Sequence, residues 1–171
     1  MHIFHHAAAK RCLSSRPWNG LLLAGAAGGI VALVGLFGAA RGAEPEPQAT
    51  CDLSSNPMSF STYDPSLPYD DSAVGTIEVS CNAPLALQIS LITNDPCTQR
   101  YLRSGGDRLA YNLYQDPGHQ IVWGSRNPVC GQVLTTAAIF QSQFSVYGSI
   151  PRMQSVRAGT YSDVVTIQVN F

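Results

Sequence analysis

The chain has 171 residues, is 45% hydrophobic and only 12% charged, and carries a formal net charge of −1. That length suits one domain, two at most. So few charges exclude a disordered acidic or basic tail protein. The near-neutral balance gives no electrostatic footprint for nucleic acid.

The average hides two unlike segments. Residues 1–42 hold Lys10, Arg11, Arg16 and Arg41 and no acid, a charge of +4, whereas residues 43–171 hold eleven acids against six arginines, a charge of −5. The basic start is followed by an apolar run, Leu21 to Ala40, and by the small residues Ala39-Ala40-Arg41-Gly42-Ala43. This is the order of a secretory signal peptide, so residues 1–42 are expected to be one, cleaved near 40–43. Twenty apolar residues could also span a bilayer; the many glycines and alanines and the small-residue exit favour cleavage, which leaves no stable membrane anchor. Either way the remainder is exported. Lipidation is not expected, because Gln48-Ala49-Thr50 before Cys51 has no apolar residue.

Residues 43–50 form a short proline-rich linker containing Pro45 and Pro47. Beyond it the apolar period is two, the signature of strands. Ile77, Val79 and Cys81 share one face; Leu85, Leu87, Ile89 and Leu91 follow, with Asn82-Ala83-Pro84 as an expected break between the two runs. Arg100, Arg103 and Arg108 flank Gly105-Gly106 and are expected as exposed loop residues, with Asp107 as a local partner. Leu109, Tyr111 and Leu113 make the next strand, and Asp116-Pro117-Gly118-His119 reads as a hairpin turn leading to Trp123. Phe144, Val146, Gly148 and Ile150 alternate next. The cleanest stripe comes last, with Tyr161, Val165, Ile167, Val169 and Phe171 on one face and Asp163 interrupting it. No apolar stripe at helical spacing follows residue 43. Many short strands with regular turns predict an antiparallel sandwich or barrel.

Four cysteines remain after the leader: Cys51, Cys81, Cys97 and Cys130. An even number in an exported domain predicts two disulfides, with three possible connectivities. Sequential pairing would close loops of about 30 residues, each contributing roughly 3–4 kcal/mol by chain entropy. The cysteine spacing is too wide for a CxxC-type zinc site. Only His119 follows the leader, with no serine or acid placed to form a triad around it. Asp64, Asp70 and Asp71 lie in a proline-rich loop and read first as solvated turn acids, with calcium as the sharper alternative. Tyr101, Tyr111, Tyr114 and Trp123 could line a carbohydrate face, but in a sandwich such residues are more often core. No catalytic residue, metal site or cofactor is assigned.

Several segments of the chain carry a family resemblance. They are Arg103-Ser104-Gly105-Gly106-Asp107, Leu109-Ala110-Tyr111-Asn112-Leu113-Tyr114, Val146-Tyr147-Gly148-Ser149-Ile150-Pro151 and Ala158-Gly159-Thr160-Tyr161-Ser162-Asp163, ahead of the closing strand. Over residues 51–171 this resembles the spore coat protein U domain, the pilin module of archaic chaperone–usher pili. The resemblance implies an immunoglobulin-like antiparallel β-sandwich missing one strand. It implies a non-enzymatic subunit of a surface fibre serving adhesion or biofilm. Its partners would be a periplasmic pilus chaperone, an outer-membrane usher and neighbouring pilin subunits, and its path would run through the periplasm to the cell surface. The added strand would enter a groove walled by Val165, Ile167, Val169 and Phe171. The family also implies Cys51–Cys81, which leaves Cys97–Cys130. Because Pro45 and Pro47 interrupt the short stretch before Cys51, the chain is expected to accept a strand but not to donate one. A stand-alone carbohydrate- or surface-binding module is the alternative.

Overall fold

The computed structural model describes residues 2–9, 48–126 and 129–171, with residues 2–9 described as backbone only. The apolar run of the leader, its small-residue exit and most of the 43–50 linker lie outside the described residues. The described residues contain strands and no helix. In chain order the strands are β1 (His2–Ala9), β2 (Cys51–Asn56), β3 (Met58–Ser59), β4 (Asp71–Ile92), β5 (Arg100–Ser104), β6 (Asp107–Tyr114), β7 (Ser125–Arg126), β8 (Val129–Cys130), β9 (Leu134–Ile150) and β10 (Ser162–Asn170).

Eight of these form one sheet in the order β2-β4-β9-β6-β5-β10-β1-β3, and a second contact between β4 and β10 folds that sheet back on itself. β7 and β8 make a separate small hairpin. The long strands β4 and β9 serve both layers. The first half of β4 pairs with β2 on one side and with the second half of β9 on the other. Its second half pairs with the start of β9 and, through Gln88–Ile92, with β10. The result is an all-β sandwich whose pairs are antiparallel, except for the parallel contact of β1 with β10.

The alternation in the sequence explains the core. Ile77, Val79, Leu87, Ile89, Leu91, Leu109, Tyr111, Leu113, Val146, Ile150, Val165, Ile167 and Val169 are all buried and belong to one cluster. One expectation fails at Asn82-Ala83-Pro84. These residues do not end a strand, because β4 runs straight through them. The ladder with β9 absorbs them instead, shifting register between Ser80 and Leu85 and again between Ala86 and Gln88. Irregularities of this kind bend a strand without ending it, and the missing donor of Pro84 is tolerated where pairing is already broken.

Two glycines are demanded by close approach. A Cβ on Gly148 would lie 2.4 Å from Met58 Sδ and 2.7 Å from Phe60 Cζ, the side chains with which β3 and the residue after it cross over β9. A Cβ on Gly124 would fall 1.6 Å from the carbonyl oxygen of Cys130. This close approach lets the Trp123 segment slot between β4 and β6, where Trp123 N donates to Leu113 O and Leu91 N donates to Gly124 O.

Candidate functional site: the β1 seat between β3 and β10

Within residues 51–171 the sheet has a gap, and β1 occupies it. Along one side β1 runs parallel to β10, from His2 opposite Ser162 to Ala9 opposite Val169. On the other side His2 and Ile3 pair antiparallel with Ser59 and Met58 of β3. The walls of the seat are therefore β10 and the β2–β3 segment. The inner face of β10 carries Val165, Ile167 and Val169, all buried, with Phe171 partly buried just beyond the strand. A cleft of about 550 Å³ lies at the head of the same seat, between Phe60–Tyr63 and Val156–Tyr161.

Asp163 is the odd member of that inner face, only 7% exposed among apolar neighbours. Its Oδ2 accepts from Tyr111 Oη at 2.7 Å, and its Oδ1 accepts from Val164 N at 2.8 Å. Arg103 reaches to within 4.0 Å but spends its closer contact, 2.6 Å, on Asp95. Burial pushes the Asp163 carboxyl above its ordinary value, against the lowering effect of Tyr111, Val164 N and Arg103. Burial, and then the Asp163 charge, raises the Tyr111 phenol as well. The interruption in the sequence stripe is thus a buried polar cluster under the β1 seat.

Arg100 corrects another expectation. It is not an exposed loop residue but lies fully buried in β5. Its guanidinium donates to Leu91 O at 3.1 Å, Trp123 O at 2.8 Å and Asn112 Oδ1. Burial lowers its pKa, against the raising fields of Tyr111 and Asp163. An arginine can be buried where acceptors meet both terminal nitrogens, here two carbonyls and an amide oxygen with Nε left without a partner, a pattern that period-two counting does not register. Arg108 does face solvent, over the ring of Tyr101 at 5.7 Å. The ionic partner of Asp107 is Arg157, at 3.8 Å, rather than a neighbouring β5 or β6 arginine.

The remaining candidates separate. Trp123 is fully buried and donates its indole N–H to Ile89 O, so it cannot present a sugar-binding face; Tyr111 is equally buried. Asp64 caps its own turn through Ser66, whose hydroxyl bond, ahead of its N–H bond, holds the carboxyl below the usual range. Asp70 accepts from Arg152 N, and Asp71 accepts from Ser61 Oγ. These three acids hold three different local structures rather than converging. His119 sits in its turn at positive φ, with Asp116 capping Gln120 N and Ile121 N behind it. Cys51 is bonded to Cys81 across β2 and β4, and Cys97 is bonded to Cys130.

Comparison with known proteins decides the family. The sequence model of the Spore Coat Protein U domain matches residues 39–168. The chain belongs to the Spore Coat Protein U domain family. Protein U of Myxococcus xanthus is 29% identical over 133 residues, which cover 67% of this chain and 71% of that protein. Among solved structures, the fold is similar to a chain from the CsuC–CsuE chaperone–tip adhesion subunit pre-assembly complex of the archaic chaperone-usher Csu pili of Acinetobacter baumannii. The TM-score is 0.54 at 21% identity. That likeness covers 72% of the present chain but spans only 40% of the other. At that identity the likeness shows the fold alone. The spore coat protein U fold here is thus a β-sandwich in which β1, from outside residues 51–171, pairs with β10 and β3.

Proposed function

We propose that this chain is an exported, non-enzymatic structural subunit of a chaperone–usher surface fibre, and that the β1 seat is where it accepts a strand from a partner. The observation that carries this reading is the pairing of β1. A segment from outside the domain lies between β10 and β3 and supplies the neighbour that both would otherwise lack. Strand addition of this kind derives affinity from backbone hydrogen bonds along an open edge and selectivity from alternate side chains on the inner face. Val165, Ile167, Val169 and Phe171 are the wall residues of that groove in our reading.

If residues 1–42 are removed on export, β1 leaves with them and the seat opens. A periplasmic chaperone would then fill it first, and a neighbouring subunit afterwards. The usher, the adhesive or biofilm role and the surface location belong to the same proposal. So does the inability to donate a strand, which rests on Pro45 and Pro47. Disulfides linking Cys51 to Cys81 and Cys97 to Cys130 suit an oxidising route of this kind.

Co-expression in a bacterial periplasm with the chaperone of an archaic pilus system tests the reading. The exported chain should co-purify with the chaperone as a one-to-one complex and should release it to a synthetic pilin donor-strand peptide. An exported chain that is monomeric, stable and indifferent to both would overturn it.

A further inference from the structure

We propose that occupancy of the strand seat is coupled to protonation of Asp163, so that the groove holds its strand more tightly as pH falls. The inference rests on the strand-seat reading and adds a regulator to it.

The argument starts from where Asp163 lies along β10. At the far end, Thr166–Asn170 is covered on its other edge by Ile92–Gln88 of β4. At the near end, β5 reaches β10 only through Arg103 opposite Ser162. From Asp163 to Val165, β1 is the strand neighbour that the register supplies, with Ile3 opposite Asp163 and Phe4 opposite Val164. Seating a strand there therefore closes off the stretch that contains the carboxyl. The same event removes the carboxyl from water, which penalises its charged form.

The surrounding charges do not cancel that penalty. From β6, Tyr111 gives a neutral hydrogen bond. From β5, Arg103 stands 4.0 Å away while engaged with Asp95, whose own negative charge opposes ionisation of Asp163. Arg100, also on β5, contributes a positive field but directs its nitrogens at Leu91 O, Trp123 O and Asn112. On β1 the titratable residues are His2, His5 and His6. Asp163 is raised with the strand in place. Because β1 is the strand neighbour at Asp163–Val165, an open seat leaves the carboxyl nearer water, and by linkage the filled seat then binds a proton more tightly than the open one. The favourable contribution is fully present at low pH and is lost as pH rises through the raised value of the seated form.

The test uses the full chain and amide hydrogen exchange at Val164–Val169 of β10, corrected for intrinsic rates, between pH 4.5 and 8. The wild type should lose protection with rising pH relative to Asp163→Asn. The difference should approach tenfold per pH unit across the titration of one proton. Asparagine still accepts from Tyr111 but cannot ionise; if that variant fails to fold, Asp163→Ser replaces it. The same difference should persist when His2, His5 and His6 are all changed to Gln. Parallel pH profiles for wild type and variant would overturn the coupling. The control Ala7→Pro breaks β1 pairing. If it leaves β10 protection unchanged at every pH, β1 is not seated and the strand-seat reading itself fails. If it lowers protection while wild type and Asp163→Asn stay parallel, only the coupling fails.

Discussion

Arg100 shows how much of this fold depends on one polar side chain. Its guanidinium satisfies the carbonyl of Leu91 at the end of β4, the carbonyl of Trp123 and the side chain of Asn112 in β6. Removing it leaves the two buried carbonyls of Leu91 and Trp123 without this donor, while Asn112 Oδ1 keeps Leu113 N, and each orphaned acceptor costs about 1–3 kcal/mol. Arg100→Met should therefore destabilise the domain by about 3–5 kcal/mol in denaturant unfolding. Arg108→Ala, which loses only an exposed contact with the Tyr101 ring, should cost less than ~1 kcal/mol. Similar losses in the two variants would show that the Arg100 fork is replaceable. Trp123 belongs to the same knot, since its indole N–H reaches Ile89 O while its carbonyl receives Arg100.

At the scale of strands, the legible part was the apolar period. β6, the second half of β9 and β10 stand where Leu109–Leu113, Phe144–Ile150 and Val165–Val169 alternate, because half-buried strands expose every second residue. The first half of β9 was not legible. Residues 134–143 are mostly Thr, Ala, Gln and Ser, and the strand exists because β4 pairs with it, not because it buries a face. Arg100 and the continuous β4 were hidden for related reasons: tertiary hydrogen bonds decide the first, and a bulged ladder the second. The apolar face of β10 could be named from the sequence, whereas the strand that lies beside β10 could not. HIFHHAAA has no clean alternation, and its placement comes from the unpaired edges around it.

The Cys51–Cys81 bond acts at this scale too. It ties edge strand β2 to β4 at a directly opposed pair and closes a loop with a sequence separation of 30. β2 runs into β3, the second wall of the seat, so a frayed β2 would release that wall. Replacing both cysteines by serine should lower stability by about 3–4 kcal/mol on the chain-entropy account. It should also raise hydrogen exchange in β2 and β3 before the β5–β6 hairpin. Uniform loss of protection across all strands would show that the bond guards the whole sandwich rather than this wall.

For the whole molecule, the decisive quantity is the number of open edges. With β1 in place the sheet ends on the two-residue strand β3, and β10 is flanked on both sides along most of its length. Without it, β10 presents unpaired backbone groups from Ser162 onward, next to an inner face of Val165, Ile167 and Val169. A long, flat, apolar edge of that kind recruits other strands. Prolines at His5 and Ala7 would remove two backbone donors from β1 and block the ladder without altering any residue of 51–171. The doubly substituted chain should self-associate in a concentration-dependent way in sedimentation velocity. It should also lose thermal stability relative to wild type measured under the same conditions. Adding a peptide of residues 2–9 in excess should reverse both effects, because binding to the folded form stabilises it by mass action. A variant that stays monomeric with an unchanged melting temperature would mean that the sandwich is complete without β1, and that the gap between β3 and β10 is closed by the core alone.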